Sequence, residues 1–252
     1  MKHVIKKLNI LVDKITASPK KKVVSNNYSD FSDEDNEIVS FVKPYTMTSP
    51  ERIKALLDAV RYVANNNIEG DYVECGVWKG GSTLAVAKMF SKLNKKEKTL
   101  WLYDTFEGMS EPTKFDLDIN GKKASDRLKK EDKKTSWVWA LSELEEVKKT
   151  MKLANYPKSK IKFIKGKVED TLLEANKPNQ ISILRLDTDW YESTKIELEL
   201  LYPKVVKGGI IIIDDYGHWK GSKKAVDEYI DKNNLNVFLN RIDYTGRLIV
   251  KQ

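Results

Sequence analysis

Five short apolar runs, DYVEC, TLWLY, IKFI, ISILRL and GIIII, recur along the chain, each followed within two residues by an acid or a glycine. Helix-patterned segments separate them. MTSPERIKALLDAVRYVANNN places Ser49 as an N-cap before Pro50, with Ile53, Leu56, Leu57, Val60 and Ala64 on one face. STLAVAKMFSKL and SELEEVKKTM follow, then helices from about Val168 and about Ser193, and SKKAVDEYIDKN. Strand alternating with helix predicts an α/β domain with a parallel sheet covered on both faces. NVFLNRI and GRLIV flank the turn signal DYTG, which predicts a C-terminal antiparallel hairpin and brings the mostly parallel sheet to seven strands.

The 252 residues suit one large domain with appendages. Residues 45–252 form the expected domain, interrupted at about 105–150 by the charged insertion that contains KKASDRLKKEDKK, a candidate lid. Residues 1–44 are the appendage. The net charge of +8 is concentrated in its first 25 residues, where seven lysines face Asp13 alone. Val4, Leu8, Leu11, Val12 and Ile15 recur there at helical spacing, so a basic amphipathic helix is expected. Packing on its own domain or on a second copy is favoured over a membrane surface. NNYSDFSDEDNE then reads as an acidic linker or lid. No apolar run approaches the ~20 residues of a transmembrane helix. The single cysteine, Cys75, leaves no disulfide framework and suggests a cytoplasmic setting, with Cys75 itself a small buried hydrophobe. A basic excess confined to one terminal segment disfavours nucleic acid.

In an open α/β sheet ligands bind at the carboxyl ends of the strands. The first strand delivers Glu74, Gly76, Val77, Gly80 and Ser82 in a glycine-rich turn. Its glycine spacing fits a pyrophosphate poorly, and the acid fits a cationic ligand better. The second strand delivers Asp104, suited to ribose hydroxyls. The fourth delivers Asp187 and Asp189, the fifth Asp214 and Asp215. Adjacent strand ends lie about 5 Å apart, so Asp187, Asp214 and Asp215 can converge. Carboxylates that close repel unless a cation lies between them. An all-oxygen set suits Mg²⁺, with Mn²⁺ or Ca²⁺ as alternatives. Helix capping is the competing role for these aspartates.

The segments YTMTSPERI, GDYVECGVWKGGS, LYDTFEGM, LRLDTDWYEST and LYPKVVKGGIIIIDDYGHWKGSKKAVDEY together resemble the macrocin O-methyltransferase family, from about Tyr45 to Leu248. The resemblance implies the class I, Rossmann-like methyltransferase fold and methyl transfer from S-adenosylmethionine to a sugar hydroxyl, assisted by Mg²⁺. It implies that Glu74, Gly76, Val77, Gly80 and Ser82 hold the methionine part, Asp104 the ribose, and Gly166, Val168 and Glu169 the adenine. Phe106 and Asp187 would also border the cofactor, with Met47 and Thr48 closing over it. Asp187, Asp214 and Asp215 would hold the metal. Asp189 and His218 are both candidates for the base that takes the hydroxyl proton. The acceptor would be a sugar-containing small molecule or glycan, and a homo-oligomer is expected. Two rivals compete: a D-x-D glycosyltransferase built on Asp187-Thr188-Asp189, which leaves Glu74 and Asp214-Asp215 unexplained, and a non-catalytic binding protein on the same fold.

Overall fold

The computed structural model describes residues 28–174 and 177–252. The amphipathic helix expected near the N-terminus lies outside them. The chain divides into two compact units, Met1–Ser32 and Asp33–Gln252. Of the first, only residues 28–32 are described, where the Tyr28 and Phe31 rings stack at 4.6 Å.

The second unit carries a seven-stranded sheet in the order β3-β2-β1-β4-β5-β7-β6. The strands are β1 (Asp71–Cys75), β2 (Leu100–Asp104), β3 (Ile161–Lys165), β4 (Ile181–Leu186), β5 (Val205–Ile213), β6 (Asn240–Arg241) and β7 (Arg247–Val250). Strands β1 to β5 are mutually parallel, and β7 runs antiparallel to both β5 and β6. The expected α/β fold with an antiparallel C-terminal end is therefore what the chain adopts. The order turns back at β1, where β2 lies on one side and β4 on the other. Ligand crevices of open sheets form at that point.

Side-chain alternation divides the core into two layers. Tyr72, Leu100, Leu102, Ile183, Ile210 and Ile212 face one layer. Covering them are helices α1 (Asp33–Val42), α2 (Pro50–Asn65) and α3 (Gly81–Lys92). Val73, Leu184, Leu186, Ile211 and Ile213 face the other. After α4 (Ala124–Lys130), α5 (Leu144–Lys152) and the single turn α6 (Val168–Thr171), that second layer is covered by α7 (Tyr191–Leu201) and α8 (Lys220–Lys232). Helix α2 starts as its sequence requires: the Ser49 hydroxyl accepts from the Arg52 amide at 3.2 Å, and Pro50 occupies the first turn.

Several boundaries differ from the sequence expectation. The acidic run ends in α1, which buries Ile38 and Val42 in the core, so the sheet-bearing unit starts ahead of Tyr45. Helix α5, in the expected insertion, buries Val147 and Met151 in the same layer. Strand β6 spans only two residues, because Leu235, Val237 and Leu239 pack against the core instead of pairing.

At the carboxyl edge the hydrogen-bond ladder continues one step past the strands. The Asp187 amide donates to the Cys75 carbonyl at 2.8 Å and the Asp214 amide to Leu186 at 2.9 Å. Gly76 sits between these neighbours at φ 83°, and a Cβ there would lie 1.9 Å from the Asp187 carbonyl oxygen. Gly76→Ala is therefore expected to lower unfolding free energy by roughly 2–3 kcal/mol. Urea denaturation checks this, and an unchanged midpoint would show that the strand ends are not packed this closely.

Candidate active site

Arg185 is the centre of the carboxyl edge. Its place in β4 sets it directly beside Glu74 of β1, and both side chains point into the layer under α2 and α3. Its Nη1 donates to Glu74 Oε1 and Asp187 Oδ2, each at 2.7 Å. Its Nη2 donates to Asp214 Oδ1 at 2.6 Å and to Thr48 Oγ1 at 2.9 Å. The Arg185 side chain is 2% exposed. A guanidinium survives such burial only when its fork is filled by acceptors.

Glu74 lies within β1 rather than in the turn after it, and both its oxygens are engaged. Oε1 takes Arg185, while Oε2 accepts from the Thr83 hydroxyl and, at 3.1 Å, from Tyr72. Burial raises its pKa, and Arg185 opposes the rise. Arg52 donates to Asp214 Oδ2 and bridges to Asp243 at 3.1 Å, which ties α2 to the end of β5 and to the hairpin turn. Asp104 is also occupied. Its Oδ2 accepts from the Val77 and Trp78 amides at 2.6 and 3.0 Å, and its Oδ1 from Phe106 at 2.7 Å. Oδ2 is filled by its two amides, while Oδ1, whose second donor is the Thr105 hydroxyl at a long 3.4 Å, is the oxygen that can turn to a further donor.

One oxygen each from Asp187, Asp214 and Asp215 lie within 4.8 Å of one another. Asp215 Oδ2 is buried and meets no ordinary donor among the described residues, and the Asp189 and Asp215 carboxyls lie within hydrogen-bonding reach of each other. Burial pushes the Asp187 and Asp215 carboxyls well above the usual range, and neighbouring carboxylates add to the rise. Burial likewise pushes Asp189 up to about 7. An oxygen-only set whose repulsion Arg185 and Arg52 relieve at Asp214 and on one side of Asp187, but not at Asp215, fits a hard divalent cation. Asp189 itself stands at φ 68°, in the left-handed region.

Two cavities meet here. A cavity of about 710 Å³ runs along Gly76, Asp104, Gly166, Val168 and Glu169. A second, of about 1150 Å³, holds Arg52, Ser82, Asp214, Asp215, His218 and Trp219. Met47, Trp78, Met109, Ala140, Asp187 and Asp189 line both. Thr48, Glu74 and Val77 border only the second, Phe106 is buried and lines neither, and Gly80 is the left-handed N-cap of α3. His218 Nδ1 pairs with the Tyr244 hydroxyl at 3.0 Å, and burial lowers its pKa. Trp190 and Trp219 meet edge-on at 4.9 Å, packed as a pair on the second cavity's floor. Cys75 is buried, as its small apolar character requires.

A family model described as Macrocin-O-methyltransferase (TylF) matches residues 2–251. The chain belongs to this family. It is accordingly an O-methyltransferase, and the match is wider than the Tyr45 to Leu248 resemblance. The demethyldecarbamoylnovobiocin O-methyltransferase of Streptomyces niveus is 35% identical over 202 residues, which cover 80% of this chain and 74% of that one. The 8-demethyl-8-(2,3-dimethoxy-alpha-L-rhamnosyl)-tetracenomycin-C 4'-O-methyltransferase of Streptomyces olivaceus is 31% identical over the same shares. The solved O-methyltransferase NovP superposes with a TM-score of 0.71 at 32% identity, covering 82% of each chain. Among the described residues of this family member, no helix is long and apolar enough to cross a membrane.

Sequence reasoning missed Arg185, Arg52, Thr83 and Glu197. Glu197 is fully buried, accepts from Thr188 Oγ1 at 3.2 Å and lies within reach of the Cys75 thiol. The signal for Arg185 was present as the one charge inside an otherwise apolar ISILRL strand. Replacing it should expose its role. Arg185→Met would strand the buried Glu74 and Asp214 carboxylates and is expected to cost about 3–5 kcal/mol of stability. The double variant Arg185→Met, Glu74→Gln should recover part of that loss. Denaturation of both checks the charge pairing, and no recovery would contradict it.

Proposed function

We propose that this chain transfers a methyl group from S-adenosylmethionine to a sugar hydroxyl at a divalent cation held by Asp187, Asp214 and Asp215. The observation that carries the reading is the common wall. A cavity bordered by the glycine-rich turn and Asp104 abuts one bordered by the aspartates, and Asp187 and Asp189 face both. Methyl transfer needs donor and acceptor in line across such a boundary. Relatives whose substrates carry sugar groups, such as the rhamnosyl tetracenomycin enzyme, support a sugar acceptor.

When bound, the two groups supply an activated methyl and a Lewis acid that orients and acidifies a hydroxyl. The chain supplies the rest. Gly76 leaves the backbone open where the donor approaches, and Asp104, Gly166, Val168 and Glu169 give that cavity its ribose and adenine ends. Thr46 and Thr48 hold Ser82 through hydroxyl contacts of 3.5 and 3.3 Å, which fastens the segment bearing Met47 over the shared wall. Trp190 and Trp219 give the acceptor side an apolar floor on which a sugar ring can rest. Asp189 takes the hydroxyl proton at its carboxylate, because it alone of the two candidate bases lines both cavities. His218 lines only the acceptor side, where its Tyr244 partner makes it an orienting group. The glycosyltransferase reading would use Asp187 and Asp189 but leaves the first cavity without a role.

Calorimetric titration with S-adenosylhomocysteine should show selective binding over NAD and over a nucleotide sugar in the donor cavity. Loss of that preference would end the methyltransferase donor reading. Methyl transfer to sugar acceptors should require Mg²⁺ or Mn²⁺, and Asp215→Asn, which leaves the Arg185 and Arg52 pairings in place, should lower transfer and raise the Mg²⁺ concentration it needs; unchanged transfer and unchanged Mg²⁺ dependence would sink the metal site. Asp189→Asn is expected to reduce kcat by about 10²–10⁴-fold while S-adenosylhomocysteine affinity changes little, with a smaller loss for His218→Asn. The reverse ranking in single-turnover rates would assign the proton to His218.

A further inference from the structure

The acceptor cavity does not end at the aspartates. Arg127 and Trp219 also line a groove of about 1070 Å³, which continues along the insertion. Lys122, Lys123, Arg127 and Lys130 border that groove, opposed only by Asp118 and Asp126. Asp118 Oδ1 is already committed to the Asn120 and Lys122 amides, both at 2.9 Å. Among the described residues no ion pair engages any of these four cations, although the chain forms many elsewhere. The groove is a built feature of the fold. Backbone bridges join Leu117 to Lys123 and Asp118 to Trp219, fastening the insertion to the start of α8. Arg127 lies 4.9 Å from the Trp137 ring centroid, and Trp137 is 67% exposed. The combined cavity is thus polarised, acidic at its inner end and cationic at its outer end, with an open indole on the acceptor-cavity wall beside Arg127 at the junction.

We propose that this groove binds the diphosphate of a nucleoside diphosphate sugar, so that the methyl acceptor is the sugar of such a molecule. The inference rests on the sugar O-methyltransferase reading and names its substrate class. A sugar joined to a diphosphate presents hydroxyls at one end and two anionic phosphates next to it, the same order of charge that the cavity presents. Arg127 stands at the junction, and its planar fork suits phosphate oxygens. The lysines add point charges along the outer groove. Trp137, which lines the acceptor cavity beside Arg127, offers a flat surface on which the base stacks next to the phosphate that Arg127 holds. A neutral glycoside would leave all four cations without a partner.

Calorimetry on the full chain in EDTA, with uridine diphosphate, inorganic pyrophosphate and geranyl diphosphate, separates the sources of the anion. EDTA prevents a cation on the aspartates from recruiting phosphate. Uridine diphosphate should bind about tenfold more tightly than pyrophosphate and more weakly as salt rises. Arg127→Ala should weaken it about tenfold or more. Lys122→Ala, Lys123→Ala and Lys130→Ala combined, all at exposed positions, should do the same without disturbing the fold. Trp137→Ala should weaken uridine diphosphate about tenfold and leave pyrophosphate unchanged. Binding of uridine diphosphate that is absent, or equal in the wild type and the lysine variant, overturns the proposal. Geranyl diphosphate binding as tightly, with no effect of Trp137→Ala, overturns the nucleoside assignment. S-adenosylhomocysteine titrated separately should bind every variant within about twofold of wild type, since none of these residues borders the donor cavity. Its failure to bind wild type would overturn the donor reading alone.

Discussion

The guanidinium of Arg185 holds the ends of three strands and one loop in fixed relation. Its partners come from β1, the residue just past β5, the turn after β4 and the segment before α2. Burying a charge of that size costs several kcal/mol, and the cost is offset only while every acceptor stays within reach. The same contacts that neutralise Arg185 therefore set the spacing of Asp187 and Asp214. Neither carboxylate can shift without stranding a buried donor. Thr48 extends this constraint to the loop carrying Met47, so the wall between the two cavities inherits the rigidity of the sheet.

The charges around that centre do not balance. Glu74, Asp187, Asp189, Asp214 and Asp215 crowd one edge, against the guanidiniums of Arg185 and Arg52. Both oxygens of Asp214 are occupied by arginine, and one of Asp187. Repulsion then falls on the carboxyls facing the cavities, and it adds to burial in raising Asp187 and Asp215. A divalent cation would relieve it where the arginines do not reach. The outer groove carries the opposite imbalance, with lysines and Arg127 that form no ion pair among the described residues. Two opposite excesses in one continuous cavity favour a ligand with separated polar ends over a uniformly neutral one.

The strand and helix alternation, the antiparallel end and the aspartates at the strand ends were legible in the sequence, because each is a local pattern of period or position. The Arg185 pairing was not. Arg185 and Glu74 are 111 residues apart, and their contact depends on the register of β1 against β4, which no local pattern encodes. Glu74 reads as a turn residue because glycines follow it, yet the ladder holds it inside β1. NVFLNRI reads as a strand because it alternates, but its apolar residues are satisfied by docking on the core. The groove beside Arg127 was invisible for a related reason. KKASDRLKKEDKK reads as part of a charged lid insertion with no ligand of its own, until the bridge from Asp118 to Trp219 places it at the acceptor cavity's mouth.

Backbone strain marks the same wall from another direction. Half of the described residues other than glycine with positive φ are asparagines, which tolerate that conformation, but Trp78, Phe106, Ala140 and Asp189 also adopt it. Trp78, Ala140 and Asp189 line both cavities, and Phe106 begins the turn after β2. Such conformations cost on the order of 1–3 kcal/mol each and persist only where surrounding contacts over-determine them. Asp104 supplies those contacts for two of the four, since its carboxylate accepts from the amides of both Trp78 and Phe106. An acid at the end of β2 thus shapes the cavity as well as bordering it. Its substitution would relax two turns together, so its loss from the site would not resemble the loss of a single ribose contact.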